Sequence, residues 1–177
     1  TGMEVTPHFV TEASARVAAF APRVRAIEGD MNSPDGTFDL IWCAGALYFL
    51  GVTEGLQDWR KVLKPGGAVA FSEPVLLNTP PSAGVRAFWE EYPQITDLDG
   101  IIARVTAAGY TVQAHRMIVG KPWADYYTPM QARIDMLRGQ NPDAALIDAL
   151  DESQREIDLW RAAQDDIAYA LLVVTPK

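Results

Sequence analysis

The chain offers few groups for nucleophilic or metal chemistry. Cys43 is its only cysteine, and its two histidines, His8 and His115, lie far apart in the sequence. One cysteine cannot build a disulfide framework or a thiolate cluster, so no zinc site is expected. Cys43 is better explained as a small buried residue than as a nucleophile, because no histidine is placed to activate it. The sequence therefore predicts no metal and no particular catalytic residue.

Three carboxylates stand where short apolar segments end. Glu4 closes the first such segment, Asp30 follows the second, and Glu73 ends a later one. In parallel α/β sheets, ligands lie beyond the carboxyl ends of the strands, so these positions are candidate binding residues. Two of them also have a simpler explanation: Glu4 could be a solvated acid, and Asp30 could cap a turn. Glu73 is the carboxylate best placed to face a bound molecule.

Aromatic residues are frequent in the segments that follow those strands. They are Tyr48, Trp89, Tyr92, Trp123, Tyr126 and Tyr127. An aromatic wall suits an apolar or a cationic ligand, through packing or cation–π attraction. Packing of late helices onto a sheet explains each of these residues equally well. The last three, with Glu73, are expected to border one cavity that opens beside Ala44 to Tyr48.

Strand-like and helix-like segments alternate closely over the first part of the chain. Apolar runs of strand length occur at residues 24–27, 38–43 and 68–72, with apolar residues at helical spacing between them. Thr6 and Pro7 are suited to begin the first helix. This alternation predicts an α/β fold with a mostly parallel sheet and helices on both faces.

The second half of the chain continues the pattern. The predicted elements are a short helix at 85–91, a strand at 110–119, helices at 125–138 and 143–164, and a final strand at 167–175. Asp97 or Asp99 is placed to cap a further helix that ends at Gly109. The final strand is expected to pair antiparallel near one edge, since it is too close to its neighbours for the usual crossover helix.

Composition and charge exclude several classes of function. With 177 residues, 49% of them hydrophobic, the chain is expected to form one domain, 1–177, with a sizeable core. Its formal net charge is −8 and its basic residues are scattered, which argues against nucleic acid as a partner. No apolar run has the length of a bilayer span and no secretory signal is recognisable, so a cytoplasmic protein without a membrane partner is expected.

One stretch carries a specific combination of motifs. The run Phe-Asp-Leu-Ile-Trp-Cys-Ala-Gly-Ala-Leu-Tyr-Phe-Leu-Gly at 38–51 is followed by Trp-Arg-Lys-Val-Leu-Lys-Pro-Gly-Gly at 59–67. These segments resemble the fourth strand, the next helix and the fifth strand of class I S-adenosylmethionine-dependent methyltransferases. The later aromatic residues resemble a bacterial subgroup of that family whose members act on small molecules. The resemblance implies a Rossmann-like fold, S-adenosylmethionine as the cofactor and methyltransferase activity.

The resemblance also implies roles for residues at the strand ends. The implied cofactor contacts are Glu4 and Val5 at the ribose, Asp30 and Met31 at the adenine, and Cys43 and Ala44 through their backbone carbonyl groups. The implied substrate contacts are Glu73, Tyr48, Trp89, Tyr92, Trp123, Tyr126 and Tyr127. A nitrogen or oxygen of a small molecule, held in line with the methyl group, is the expected acceptor.

The glycine-rich loop and first strand of that family have no counterpart here, since the sequence begins at what resembles the second strand. The first strand lies between the second and the fourth in the family, so the strands ending at Glu4 and Cys43 are expected to lie apart. We expect an N-terminal segment, a strand swapped from a neighbouring copy or a rearranged sheet to fill that gap. A homo-oligomer or a strand-swapped neighbour is therefore one expected partner.

Two other functions remain open from the sequence. The chain could be a non-catalytic methyltransferase-like subunit that supports an active partner, and a titration with the cofactor would distinguish that role. It could also be another nucleotide-binding α/β protein, such as a dehydrogenase-like domain. The Leu-Lys-Pro-Gly-Gly segment at 63–67 and the Asp30-Met31 pair favour the methyltransferase.

Overall fold

A computed structural model describes residues 1–90 and 92–177 of the chain. The strands are β1 (Gly2–Glu4), β2 (Ala26–Glu28), β3 (Phe38–Ala44), β4 (Leu63–Leu76), β5 (Tyr110–Ile118) and β6 (Ile167–Pro176). The helices are α1 (Pro7–Val17), α2 (Val52–Trp59), α3 (Ala83–Phe88), α4 (Leu98–Ala107), α5 (Lys121–Arg138) and α6 (Ala144–Ala163). None of the helices in the described part combines the length and the apolar character that a bilayer span requires.

Four strands form a mixed sheet in the order β3-β4-β6-β5. β3 and β4 pair in parallel, while β6 is antiparallel to both β4 and β5. Three strands thus run in one direction, and the last strand enters between two of them in reverse. The prediction of an α/β fold whose final strand pairs antiparallel near one edge is confirmed.

β1 and β2 form a separate parallel pair, in which Glu4 lies opposite Glu28. β3 is an edge strand of the larger sheet, and β1 does not pair with it. The expected separation of these two strands is confirmed. The sheet is consequently divided in two, where the alternation of elements alone predicts one continuous sheet.

The main core lies on one face of the larger sheet. Val69 and Phe71 of β4 and Leu172 of β6 pack there against buried residues of α2 and α4, among them Leu56 and Ile101. A second core joins α3, α5 and α6 over the end of β4 and the start of β6. Successive side chains of a strand point to opposite faces, so each strand contributes every second residue to the main core.

Strand β3 shows this alternation clearly. Ile41 and Cys43 pack against the main core, whereas Leu40 and Trp42 are 54% and 63% exposed on the opposite face. Helices cover that opposite face at the start of β6, where Ile167 belongs to the second core. The helix cover predicted for both faces therefore does not extend over β3.

Local signals at the helix ends explain most of the boundaries. Asp97, not Asp99, caps α4, because its Oδ1 accepts a hydrogen bond from the Gly100 N–H at 2.9 Å. Thr6 occupies the position before α1, but its side chain makes no capping bond, contrary to the prediction. Its N–H instead donates to Glu4 Oε1 at 2.8 Å.

Several boundaries differ from their predictions. The strand predicted at 68–72 is the longer β4, Leu63–Leu76, and two helices also differ. α5 begins at Lys121 rather than at residue 125, because a proline in the first turn is compatible with a helix start. The helix predicted at 85–91 corresponds to α3, and its last predicted residue, Glu91, lies outside the described residues.

Candidate functional site

A cavity of about 960 Å³ lies beyond the carboxyl ends of β3 and β4. Its floor includes Ala44, the last residue of β3, Gly45, which follows it, and Ser72 of β4. Residues from five other segments form its walls: Tyr48, Phe49, Ala87, Phe88, Trp89, Glu90, Tyr92, Gln94, Ile118, Pro122, Trp123, Tyr126, Tyr127, Glu152, Arg155, Glu156, Leu159 and Tyr169. Every aromatic residue singled out in the sequence borders this one cavity, which was predicted for Trp123, Tyr126 and Tyr127. Their part in substrate binding stays a prediction.

Tyr169 of β6 lies among these aromatic side chains and was not predicted as a site residue. Its ring centroid is 5.1 Å from that of Trp123 and 6.5 Å from that of Trp89. The signal that could have found it is the reversed direction of β6. An antiparallel strand brings its first residues to the carboxyl ends of its neighbours, and Tyr169 is opposite Pro74 of β4.

The turn after β3 approaches Tyr169 closely. Gly45 has φ of +67°, a conformation that residues with a side chain rarely adopt. A Cβ atom at this position would lie 3.7 Å from the Tyr169 hydroxyl. The glycine is therefore needed mainly for the backbone conformation of this turn. The Tyr169 hydroxyl lies beside the turn, at the cavity floor.

Glu73 is fully buried and lies one side chain behind the cavity wall. Its Oε1 accepts a hydrogen bond from the Tyr92 hydroxyl at 2.8 Å. Arg104 Nη1 donates to the same hydroxyl at 3.1 Å, and Glu73 Oε2 has no partner among the described residues. The prediction that Glu73 itself borders the cavity is wrong, because Tyr92 stands between them and lines the wall instead.

The environment of this pair changes the acidity of both groups. Burial raises the pKa of Glu73 to about 7, and the Tyr92 hydrogen bond opposes that shift only in part. Burial, followed by the charge of Glu73, raises the pKa of Tyr92 to about 12. Glu73 is thus a carboxyl that can hold or release a proton near neutral pH, while Tyr92 keeps its own proton.

Carboxylates of α6 form the outer wall. Glu156 accepts a hydrogen bond from the Tyr127 hydroxyl at 2.8 Å. Burial, that hydrogen bond and the charge of Glu156 raise the pKa of Tyr127. Burial also raises the pKa of Tyr169, with further contributions from neighbours that include Glu73 and Glu156. Negative charge therefore acts on the cavity from two sides.

The predicted cofactor residues of the small sheet lie together at its carboxyl end. The backbone carbonyl of Glu4 accepts from the Gly29 N–H at 3.1 Å, so the ends of β1 and β2 adjoin. The Thr6 N–H bonded to the Glu4 carboxylate lowers its pKa, which keeps this exposed group ionised. Asp30 Oδ1 accepts a hydrogen bond from the Asn32 N–H at 2.8 Å. Asp30 therefore caps a turn, which was the simpler of the two explanations open from the sequence.

The other predicted cofactor residues divide between surface and core. Val5 is 68% exposed, and the Met31 carbonyl accepts a hydrogen bond from Trp59 Nε1 at 2.7 Å. Ala44 borders the cavity, whereas the Cys43 side chain packs against the main core. Burial raises the pKa of the Cys43 thiol, which agrees with a structural cysteine rather than a nucleophile.

Comparison with known proteins shows what the chain is similar to. Residues 1–67 match the family model described as a methyltransferase domain. A search of curated proteins finds no match to the sequence. The resemblance to class I S-adenosylmethionine-dependent methyltransferases is confirmed by this family match together with the fold.

Several solved structures share the fold. A S-adenosylmethionine-dependent methyltransferase from Geobacter sulfurreducens, in complex with S-adenosylhomocysteine, is 20% identical with a TM-score of 0.82. The alignment covers 99% of this chain and 74% of that one. A methyltransferase from Thiobacillus denitrificans, also in complex with S-adenosylhomocysteine, is 19% identical with a TM-score of 0.81, covering 99% and 75%. The [4+2]-cyclase SpnF is 22% identical with a TM-score of 0.71, covering 99% and 65%.

The similarity to a cyclase shows that the fold alone does not determine the reaction. The same architecture accommodates a cyclase, and fold similarity at this level of identity does not determine a substrate. Residues 1–67 match a methyltransferase domain and the fold of the chain agrees with that match, but the acceptor must be argued from the cavity.

Proposed function

We propose that the chain transfers a methyl group from S-adenosylmethionine to a nitrogen or oxygen of a small molecule. The observation that carries this proposal is the aromatic cavity, which opens directly beside the turn after β3. Its volume of about 960 Å³ is of the size that small-molecule sites have.

The residues at the strand ends suit the cofactor. The ionised carboxylate of Glu4 can accept hydrogen bonds from two ribose hydroxyls, as acids do at this position in dinucleotide folds. Asp30 adjoins it at the end of the neighbouring strand, and the backbone at Ala44 and Gly45 reaches the cavity floor. The structures from Geobacter sulfurreducens and Thiobacillus denitrificans, crystallised with S-adenosylhomocysteine, support this choice of cofactor. When bound, the cofactor supplies an electrophilic methyl group.

The protein must also hold the acceptor atom in line with the methyl group of the cofactor. The aromatic walls exclude water and restrict the orientation of a small ligand, which removes much of the entropy cost of a two-substrate reaction. Tyr48 and Tyr92, with ring centroids 5.6 Å apart, bound the cavity near its floor. Trp123 and Tyr127 stack at 6.2 Å and bound it from α5.

Calorimetric titration of the full chain with S-adenosylhomocysteine tests the cofactor site. Glu4→Ala and Asp30→Ala should each weaken binding by about 1–3 kcal/mol, because each loses a hydrogen bond to a charged group. Glu12→Ala, on the exposed part of α1, is the matched control and should bind like the wild type. Unchanged affinity in both test variants would exclude this site.

A second measurement separates an enzyme from a non-catalytic subunit. The chain is incubated with methyl-labelled S-adenosylmethionine and a panel of small amines and alcohols, and labelled products are sought. Cofactor binding without any transfer would favour the role of a supporting subunit. Transfer to at least one acceptor establishes the enzyme.

A further inference from the structure

We infer that the acceptor is a small amine, which the cavity binds through cation–π contacts and negative charge. This inference rests on the proposed function and narrows it from nitrogen or oxygen to nitrogen. It is carried by the charge of the lining, by the arrangement of the aromatic rings and by the balance of charge in the reaction.

The charged groups that line the cavity are mostly acidic. They are Glu90, Glu152, Glu156 and Arg155, which gives three carboxylates to one guanidinium. Arg155 lies 3.7 Å from the Glu90 carboxylate, so its positive charge is opposed within the same wall. A net negative lining attracts cationic ligands and repels anionic ones.

Negative charge also acts on Tyr169, one of the residues that line the cavity. Glu73 behind one wall and Glu156 on the other both contribute to the raised pKa of Tyr169, in addition to burial. A group that disfavours an extra negative charge at the Tyr169 hydroxyl favours a positive charge beside it.

The aromatic rings provide faces for a cation. Trp89 and Trp123 both lie close to Tyr169, at centroid distances of 6.5 Å and 5.1 Å from it. Indole is the strongest of the aromatic faces for cation binding, and quaternary and alkylated ammonium groups are common ligands of such aromatic cages. The described lining thus joins two features, aromatic faces and carboxylates, that favour the same ligand class.

The chemistry of methyl transfer agrees with this assignment. An amine that binds as its ammonium ion first releases one proton to water, which frees the nitrogen lone pair. The nitrogen then attacks, the N–C bond forms as the S–C bond of the sulfonium breaks, and the positive charge passes from sulfur to nitrogen. The product is an alkylammonium ion, and any proton it carries can leave afterwards to water. The cavity therefore holds one positive charge before and after transfer, and its negative lining stabilises both states.

A hydroxyl acceptor would need different groups. Its proton must be removed for transfer to give a neutral ether, so a base must reach the oxygen. Glu73, the buried carboxyl that titrates near neutral pH, is separated from the cavity by Tyr92. The direct lining fits an amine, because an ammonium ion can lose its proton to water and the freed lone pair can then attack without a base on the protein.

A pair of probes that differ in charge but hardly in shape tests the inference. Choline carries a trimethylammonium group, and 3,3-dimethylbutan-1-ol carries a neutral tert-butyl group in its place. Both are titrated by calorimetry into the full chain saturated with S-adenosylhomocysteine. We expect choline to bind about tenfold more tightly than the alcohol, which is the order of a buried cation–π contact.

Variants on α6 identify the charge responsible. Glu156→Gln keeps an acceptor for the Tyr127 hydroxyl but removes the negative charge, so choline affinity should fall several-fold while the alcohol is unaffected. Asp151→Asn is the matched control on the same helix, because Asp151 pairs with Arg138 and does not line the cavity. It should bind both probes like the wild type.

The outcomes of the two proposals can be told apart. Equal affinity for both probes, or binding of neither, with S-adenosylhomocysteine still bound, overturns the amine assignment and leaves the methyltransferase proposal intact. Failure of the wild-type chain to bind S-adenosylhomocysteine would contradict the proposed function itself. Tighter binding of choline that Glu156→Gln does not change would overturn the assignment of the charge to α6.

Discussion

Glu73 shows how strongly a single residue can depend on its surroundings. Its side chain is fully buried on β4 and is bonded to Tyr92. The charged or titratable groups that interact with it include Tyr92, Arg104, Cys43 and Tyr169. The sequence predicts that Glu73 ends a strand, but nothing in the sequence indicates that Tyr92 covers it. Which side chain covers another depends on packing between elements that are far apart in sequence.

Glu73 should make the stability of the protein depend on pH. Its folded pKa of about 7 lies above the ordinary carboxyl value of 4.5, so the folded state binds this proton more tightly than the unfolded state. The stabilisation is fully present below the ordinary value and is lost as pH rises through about 7. The loss is on the order of 3 kcal/mol between about pH 4 and pH 8.

The measurement is urea denaturation of the wild type and of Glu73→Gln at about pH 5 and about pH 8. Gln cannot ionise, so the variant should gain stability relative to the wild type at the higher pH. Glu12→Gln, at the exposed ion pair with Arg16, should keep the wild-type dependence on pH. The same slope in Glu73→Gln and wild type would contradict a raised pKa for Glu73.

Gly45 gives a second prediction at this scale. Alanine at φ of +67° costs about 1–2 kcal/mol, because its Cβ crowds the backbone in the left-handed conformation. The new methyl group would also contact the Tyr169 hydroxyl. Gly45→Ala should therefore lower the free energy of unfolding by that amount in urea denaturation, whereas Gly2→Ala, which meets open space, should change it little. Equal effects in both variants would contradict the role of the backbone conformation.

At the scale of elements, helices and strands followed local signals and were largely predictable. The final strand, the long helices and the helix after Asp97 all lie within a few residues of their predicted positions. Which side chains of each element face the core, the cavity or the solvent was harder to predict. Tyr169 sits in a continuously apolar strand, where neither periodicity nor polarity marks the residue that faces a cavity.

The cap of α4 can be tested by a comparison of neighbours. Asp97→Ala removes the hydrogen bond to the Gly100 N–H and should lower the free energy of unfolding by about 1 kcal/mol. Asp99→Ala leaves that bond in place and removes only a favourable charge in the first turn, worth about 0.3–1 kcal/mol. Urea denaturation of both variants measures these two losses of stability. A larger loss for Asp99→Ala than for Asp97→Ala would show that Asp97 is not the cap.

At the scale of the whole molecule, the sheet is the feature that local sequence describes least well. Alternating strands and helices predict a sheet, but which strands pair is decided by contacts between distant segments. The separation of β1 from β3 came from the order of elements in a resembling family and could not come from periodicity. The pairing of β6 between β4 and β5 likewise brings together strands far apart in sequence.

This division leaves an apolar surface that should drive self-association. β3 is an edge strand, and Leu40 and Trp42 are more than half exposed on the face that the main core does not occupy. An open strand edge beside apolar side chains is a template for pairing with another chain. We therefore expect the 177-residue polypeptide to associate with itself rather than remain a monomer of 19.4 kDa.

Light scattering coupled to size-exclusion chromatography, over a wide range of protein concentration, measures this association. The double variant Leu40→Lys/Trp42→Lys should shift the mass toward the monomer, because charged side chains on an edge strand oppose pairing. Since both side chains are exposed, the folded structure should be little affected, which circular dichroism can check. Val119→Lys, at an exposed apolar residue outside the sheet, should keep the wild-type mass. A wild-type chain that stays monomeric at every concentration would contradict this prediction. It would show that water alone satisfies the unpaired N–H and C=O groups along the edge of β3.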